Sequence, residues 1–148
     1  MSAIRLLPWG LHQGLEYLAG VFLVLAPLIL GFTDSPAVPV FVGAGVVVLL
    51  VAVLSRGKLG VVGLLPTGVH AALDYVLGFF LILSPFVFGF ADTEQALYTA
   101  VLLGVVHLVL TLVTRFPRPA ADQLAAGAAG GPAGGDTTGG GHLAPEHE

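Results

Sequence analysis

The chain has 148 residues, of which 56% are hydrophobic and 9% are charged, and its formal net charge is −4. About a quarter of the residues in ordinary globular domains are charged, so this composition excludes a soluble fold and favours a protein surrounded by lipid. The absence of cysteine excludes disulfides, thiolate metal sites and Cys-x-x-Cys redox chemistry. The five Lys and Arg residues form no basic stripe that would bind nucleic acid.

Four apolar segments follow one another along the chain, at residues about 9–30, 38–54, 67–88 and 97–114. Each has roughly 17–22 residues, close to the number that crosses a hydrocarbon core as a helix. Helices are expected because backbone groups in lipid must be hydrogen-bonded within their own segment. The sequence therefore predicts an all-α, four-helix transmembrane bundle over residues 1–116.

The connecting segments predict how this bundle is oriented. Short polar turns at about 32–37 and 91–96 join the helices of each hairpin, and a longer link at about 55–66 joins the hairpins. With four crossings, both termini and this link share one side, which carries every basic residue: Arg5, Arg56, Lys58, Arg115 and Arg118. The opposite turns carry the acids Asp34, Asp92 and Glu94. The positive-inside rule then predicts a multi-pass protein of a prokaryotic plasma membrane with both termini in the cytoplasm.

The last segment, residues 117–148, differs in composition from the rest. Ala, Gly and Pro dominate it, and few of its residues could enter a core. We expect a disordered cytoplasmic tail. Two His and two Glu stand near its end, for which a solvated tail is preferred over metal capture.

An internal repeat relates the two halves of the bundle. Residues 6–34 and 64–92, a shift of 58, share 15 identities in 29 positions. The matches include residue types that chance similarity between apolar helices would not align: Pro8/Pro66, Gly10/Gly68, His12/His70, Tyr17/Tyr75, Gly20/Gly78, Pro27/Pro85 and Gly31/Gly89. The repeats cover about 6–56 and 64–115. Because a two-helix unit crosses the membrane and returns, we expect the two hairpins to be related by a pseudo-two-fold axis along the membrane normal.

Residues 15–32 and 73–90 resemble the SPW repeat of small bacterial and archaeal membrane proteins. That repeat is a two-helix unit with an acid near the start of its first helix, then a Gly, an apolar run, Ser-Pro-Trp and a Gly. The second copy here reads Ser84-Pro85-Phe86 and the first reads Ala26-Pro27-Leu28. The resemblance covers about residues 6–116. It implies the two-hairpin membrane architecture and implies no activity.

Pro27 and Pro85 each stand four residues before a glycine, Gly31 and Gly89. Proline should kink or end each helix at the outer membrane face, and glycine should permit the turn that follows. A rigid hairpin corner is the preferred interpretation. The alternative is that the carbonyls freed by proline, at Leu23 and Leu81, bind a ligand or ion.

His12 and Glu16 are four residues apart, as are His70 and Asp74, so each pair shares a helix face. These ionisable groups should lie near the cytoplasmic edge of the hydrocarbon and face the bundle interior as pairs. A two-fold relation would let His12 meet Asp74 and His70 meet Glu16. The preferred interpretation is a structural link between repeats. A proton or ion pathway is the first alternative, and a metal or haem site is the second.

Two further features concern helix packing. His107 has no counterpart in the first repeat, which has Leu49 at the matching position 58 residues earlier. We interpret His107 as a neutral histidine hydrogen-bonded to a neighbouring helix. Small residues four apart, Gly10 with Gly14 and Gly68 with Ala72, would permit close helix approach.

These observations favour a small membrane scaffold or accessory protein and not an enzyme, since no phosphate loop, nucleophile elbow or Ser-His-Asp pattern is found. A proton- or ion-coupled transporter or channel is the alternative, and a haem- or metal-binding redox protein is the third. We assign no metal site and no cofactor. The expected partners are the lipid bilayer and either a second copy or an unidentified membrane protein, but no nucleic acid.

Overall fold

The computed structural model describes residues 6–117, and its elements in chain order are β1 (Leu7–Pro8), α1 (Trp9–Ile29), α2 (Val38–Leu54), α3 (Thr67–Val87), α4 (Glu94–Val113) and β2 (Thr114–Arg115). The prediction of an all-α fold with four helices is confirmed. The predicted tail lies outside the described residues except for Pro117, and so do Arg5 and Arg118.

The helices have the lengths and surfaces that lipid requires. The helices α1, α3 and α4, of 20–21 residues, are long and apolar enough to cross a membrane. The fourth, α2, has 17 residues, which at 1.5 Å per residue is about 26 Å and near the lower limit for a span. Large apolar side chains point outward, and Leu18, Leu28, Val76, Phe86 and Leu102 are 64–73% exposed. This protein is therefore a membrane protein.

The helix bounds differ most from the sequence expectation in α4, which begins at Glu94 where the pattern suggested about residue 97. Thr93 precedes the helix, and Glu94 lies in its first turn. A carboxylate there interacts favourably with the positive end of the helix dipole. The charged residue therefore begins the helix, although its polarity indicated a turn.

Glycines bring the two helices of each hairpin close together. A Cβ on Gly45 of α2 would lie 2.7 Å from the carbonyl oxygen of Gly20 in α1, and a Cβ on Gly104 of α4 would lie 2.7 Å from that of Gly78 in α3. Cβ atoms essentially never approach so closely, so each pair requires glycine.

No helix of the described chain makes the close approach that Gly10 and Gly68 would permit, because a Cβ on either would meet nothing within 4 Å. Both residues lie in the first turn of their helix, at the end of the bundle. Close packing instead occurs near the middle of each helix pair.

The packing also corrects the register between the second helices. Leu49 lies against Gly20 and Leu108 lies against Gly78, so Leu49 corresponds to Leu108. The shift between α2 and α4 is therefore 59 (108 − 49) and not 58, and the counterpart of His107 is Val48 and not Leu49. One additional residue in the second hairpin turn accounts for the difference.

The two hairpins meet through a small aromatic core and through both ends. The rings of Phe41 and Phe90 lie edge to face with centroids 6.3 Å apart. At the turn end, Ser35 Oγ and Thr93 Oγ1 are 3.1 Å apart and hydrogen-bonded. At the other end, β1 pairs in parallel with β2. Ser35 and Thr93 occupy equivalent repeat positions, which a two-fold relation would bring together, and the axis itself stays a prediction.

The proline–glycine corners have the same structure in both repeats. Each helix continues two residues beyond its proline and ends in a Schellman motif. Phe32 N–H donates to the Pro27 carbonyl oxygen at 3.0 Å, and Phe90 N–H donates to that of Pro85 at 3.0 Å. The intervening glycine, Gly31 or Gly89, has φ of 75° or 70°, the left-handed conformation that such caps use.

The carbonyl oxygen of Leu81, which faces Pro85, already accepts a hydrogen bond. Ser84 Oγ donates a hydrogen bond to it at 2.9 Å. The serine therefore satisfies the acceptor that proline leaves without its usual helical partner. This arrangement favours the rigid corner over a ligand site at Leu81. The first repeat has Ala26 at the equivalent position and lacks this hydroxyl.

Candidate functional site

Four ionisable side chains meet between α1 and α3: His12 and Glu16 from the first, and His70 and Asp74 from the second. His12 Nε2 lies 3.2 Å from Asp74 Oδ2 and 3.6 Å from Glu16 Oε1. His70 Nε2 lies 3.0 Å from Glu16 Oε1 and 3.3 Å from Asp74 Oδ2. Each imidazole thus contacts the acid of its own helix and that of the other. We call these four residues the His–acid cluster.

The His–acid cluster is closed to solvent, since its side chains are 0–3% exposed. The contact between His12 and Asp74 has the direction of a hydrogen bond. The His70 contacts are short enough for ion pairs, yet His70 Nε2 and Glu16 Oε2 have no hydrogen-bond partner within the described part of the chain. The His12–Asp74 contact therefore combines proximity with the alignment that a hydrogen bond requires.

Two hydroxyls from the ends of the second helices orient the imidazoles. Ser55 Oγ donates its single hydrogen to a carbonyl one turn earlier in α2 at 2.5 Å and also contacts His70 Nδ1. Thr114 Oγ1 likewise donates to a carbonyl one turn earlier at 2.6 Å and contacts His12 Nδ1 at 2.8 Å. With their hydrogens committed, both hydroxyls must accept, so each histidine carries a hydrogen on Nδ1.

His107 extends the cluster on one side. Its Nε2 lies 3.6 Å from Asp74 Oδ1, the carboxylate oxygen that faces away from the other two histidines. That distance is too long for a hydrogen bond, and His107 Nε2 is a buried nitrogen that has no partner among the described residues. His107 therefore lies beside Asp74 without a hydrogen bond to it, and is not counted in the His–acid cluster.

Aromatic rings cover the cluster at the end of the bundle that carries the basic residues. The Trp9 ring stacks on His12 with centroids 5.5 Å apart and meets the edge of His70 at 4.8 Å. Phe116 lies 5.2 Å from Trp9 and 5.6 Å from His12. Trp9 Nε1 donates to the Arg56 carbonyl oxygen at 2.9 Å, which anchors the ring on the central link. Water is excluded from this side.

An apolar cavity of about 500 Å³ lies between α2 and α3. Valine, leucine and phenylalanine side chains form most of its wall, including Val40, Val47 and Phe80. Glu16 and Asp74 also line it. The carboxylates of the His–acid cluster therefore form the polar part of an otherwise apolar cavity.

Two imidazoles and two carboxylates can exchange protons with one another or bind a cation. Their ligand atoms all lie within 4.8 Å of one another, and among residues 6–117 these four form the one group of metal-ligating type. Haem does not fit, because side chains in mutual contact leave no space for a porphyrin ring between the histidines. The predicted corner residues Pro27, Gly31, Pro85 and Gly89 lie at the opposite end of the helices and take no part.

The sequence did not point to Ser55, Thr114, Trp9 or Phe116. Ser55 and Thr114 are one residue beyond the ends of apolar helices, and their partners are 15 and 102 residues away. One signal was available: each hydroxyl stands at the same place in its repeat once the shift of 59 is applied. The chain's single Trp also directly follows the repeated proline.

Comparison with known proteins agrees with the resemblance seen in the sequence. The family model of the SPW repeat domain matches residues 9–114, the part that contains all four helices. Neither the curated proteins nor the solved structures contain a match to this chain. The Ser-Pro pair of the repeat motif is present at Ser84 and Pro85. There, Ser84 Oγ donates a hydrogen bond to the Leu81 carbonyl oxygen, which faces the proline.

Proposed function

Since this chain belongs to the SPW repeat family of membrane proteins, we propose that it is a small membrane scaffold or accessory protein and not an enzyme. The observation that supports this is the exchange of partners between hairpins. His12 contacts Asp74 across the hairpin boundary, and His70 contacts Glu16. The ionisable groups buried in the bundle thus join the two repeats.

Polar links between helices are especially important for stability in a bilayer. Apolar faces have little drive to associate in a bilayer, so packing and polar contacts hold helices together. Glycine contacts serve that role within each hairpin, whereas the His–acid contacts join α1 to α3. An unpaired ionisable group inside the membrane is costly. The hairpins are therefore held in the arrangement in which each histidine has an acid beside it.

The absence of catalysis is part of the proposal, although Ser55, His70 and Glu16 stand in a row that resembles a hydrolytic triad. The Ser55 hydroxyl donates to a helical carbonyl and is fully buried. A nucleophile needs its hydrogen directed to the base and its oxygen open to substrate. The row meets neither condition.

A second candidate function is proton- or ion-coupled transport through the same residues. The observation that favours it is that Glu16 and Asp74 line the apolar cavity, with Glu16 Oε2 buried and lacking a partner in the described chain. The cover formed by Trp9 and Phe116 opposes it, because a pathway would have to open there. We therefore place transport second.

The orientation and location are also proposals. The structure brings β1, the central link and β2 to one end of the bundle, so that Arg56, Lys58 and Arg115 share a side. We propose that this side faces the cytoplasm of a prokaryotic cell, with the helices in the plasma membrane. The lipid bilayer is then the first partner, and a second copy or another membrane protein would bind to the exposed apolar helix faces.

Proton flux separates the two candidate functions. The purified protein is reconstituted into liposomes that contain a pH-sensitive dye, and a pH gradient is applied. A scaffold should give the flux of empty liposomes, and Glu16→Gln with Asp74→Asn should leave that flux unchanged. Flux in the native protein that the paired amide variant abolishes would overturn the scaffold proposal, because an amide cannot carry a proton near neutral pH.

A further inference from the structure

We propose that the His–acid cluster binds one divalent transition-metal ion of the zinc type. The ligands are His12 Nε2, His70 Nε2 and one carboxylate oxygen each from Glu16 and Asp74. This deepens the proposed scaffold function and rests on it, because the ion would join the two hairpins at the place where their helices meet. From the sequence, a metal site at these residues is the second alternative, and no metal is assigned.

The first argument is the direction of the imidazole lone pairs. The committed hydroxyls of Ser55 and Thr114 place the hydrogen of each histidine on Nδ1. A neutral imidazole then has its lone pair on Nε2. Both Nε2 atoms face carboxylate oxygens, at 3.0–3.6 Å. When both imidazoles are neutral, four electron-pair donors therefore converge, which is unfavourable unless a metal ion lies between them or each Nε2 takes up a proton.

The second argument is charge. With neutral histidines and ionised acids, the cluster carries two negative charges at 0–3% exposure. Buried carboxylates without a compensating positive charge are among the most costly groups that a protein can hold. The nearby Arg56 side chain is directed to the Gly63 carbonyl oxygen instead. One divalent cation would bring the charge of the cluster to zero.

The third argument is distance. Ligands at about 2.0–2.2 Å from a metal ion are about 3.0 Å apart at right angles and about 3.4 Å apart in a tetrahedron. The four nitrogen–oxygen separations in the cluster are 3.0, 3.2, 3.3 and 3.6 Å. The four ligand atoms all lie within 4.8 Å of one another, so the nitrogen–oxygen separations match those of ligands on one ion, and small side-chain movements would close the remaining separations. Imidazole and carboxylate are ligands that zinc accepts.

The fourth argument is the surroundings. Metal-ligating histidines usually donate their second ring N–H to a fixed acceptor, which orients the ring. Ser55 and Thr114 fill that role for His70 and His12. The cover of Trp9 keeps water away. A site with four protein ligands and no open position is structural and not catalytic, as a scaffold requires.

The alternative to a metal ion is a pair of protons, one on the Nε2 atom of each histidine. If both imidazoles are protonated, the cluster is also neutral, and each Nε2–H can donate to a carboxylate. Metal content decides between the two occupants. In the parent protein and in every variant, His142 and His147 of the tail are changed to Gln, and the purification tag contains no histidine, so that binding reports on the membrane domain.

The full chain is purified in detergent, stripped with a chelator, and titrated with Zn²⁺ while bound metal is counted by elemental analysis. We expect one Zn²⁺ per chain, and none in His12→Gln with His70→Gln. Ser55→Ala retains all four ligands but frees one imidazole, so it should weaken affinity by about 10- to 100-fold. Gln13→Leu, a buried polar neighbour outside the ligand set, should bind like the parent.

Failure to bind Zn²⁺ in a folded parent protein would overturn the metal proposal, as would unchanged binding in the double histidine variant. In either case the scaffold proposal would still stand if the liposomes show no proton flux. Flux in the liposomes would overturn the scaffold function whatever the metal content. The two failures are therefore distinguishable.

Discussion

Replacing Gly45 by alanine should separate α1 from α2. The added Cβ would lie 2.7 Å from the Gly20 carbonyl oxygen, 2.7 Å from Val24 Cγ2 and 2.8 Å from Val24 N. Two of these are backbone atoms, so relief requires the helices to move apart by about 0.7 Å to restore ordinary contact. A gap of about 0.5–1 Å forfeits a quarter to a half of the dispersion attraction across an interface. We expect a cost of about 1–3 kcal/mol, the range for overpacking.

Gly43 provides the matched control, since a Cβ there would meet nothing within 4 Å. Gly43→Ala should be neutral or stabilise the helix by up to about 1 kcal/mol, because alanine favours helix more than glycine does. Unfolding of each variant in mixed micelles, followed by helical circular dichroism, measures both. Equal stability of the two alanine variants would refute the close contact between α1 and α2.

Two further predictions concern the turns and the topology. Ser84→Ala should destabilise the protein by about 1 kcal/mol, because a helix carbonyl loses its hydroxyl partner. Ala26→Ser should add the equivalent bond in the first repeat and should not destabilise the protein. Thermal unfolding of both variants checks this, and an unchanged stability of Ser84→Ala would contradict it. A reporter fused after Gly141 should be active only in cytoplasmic form, and one inserted at Ser35 or Thr93 only in external form, and the reverse pattern would overturn the assigned orientation.

The four helices could be predicted from sequence because hydropathy and span length decide them locally. The acids and histidines stood out because the repeat duplicates them at the same spacing. His12 with Glu16 and His70 with Asp74 each share a helix face, which depends only on the helical period. The structure brings all four side chains together.

The glycine contacts and the hydroxyl partners could not be predicted in the same way. Whether Gly45 or Gly10 approaches another helix depends on the relative register of two helices, which hydropathy does not specify. The additional residue in the second turn shifts that register by one. Because of that shift, the repeat in the sequence pairs His107 with Leu49, whereas its structural counterpart is Val48. Contacts such as that between Thr114 and His12, 102 residues apart, follow from the assembled bundle.

The central claim is that the His–acid cluster joins the two hairpins, and a double-mutant cycle on His12 and Asp74 tests it most directly. His12→Leu and Asp74→Leu are measured singly and together by unfolding in mixed micelles, with Ser35→Ala as a distant partner for Asp74→Leu. Each single variant removes one of the two contacts of a buried ionisable group, and the second replacement then has less to remove, so the double variant should cost less than the sum of the singles. We predict a coupling of about 1–3 kcal/mol for His12 with Asp74 and additivity for the distant pair. Additivity within about 0.3 kcal/mol for His12 and Asp74 would contradict the account.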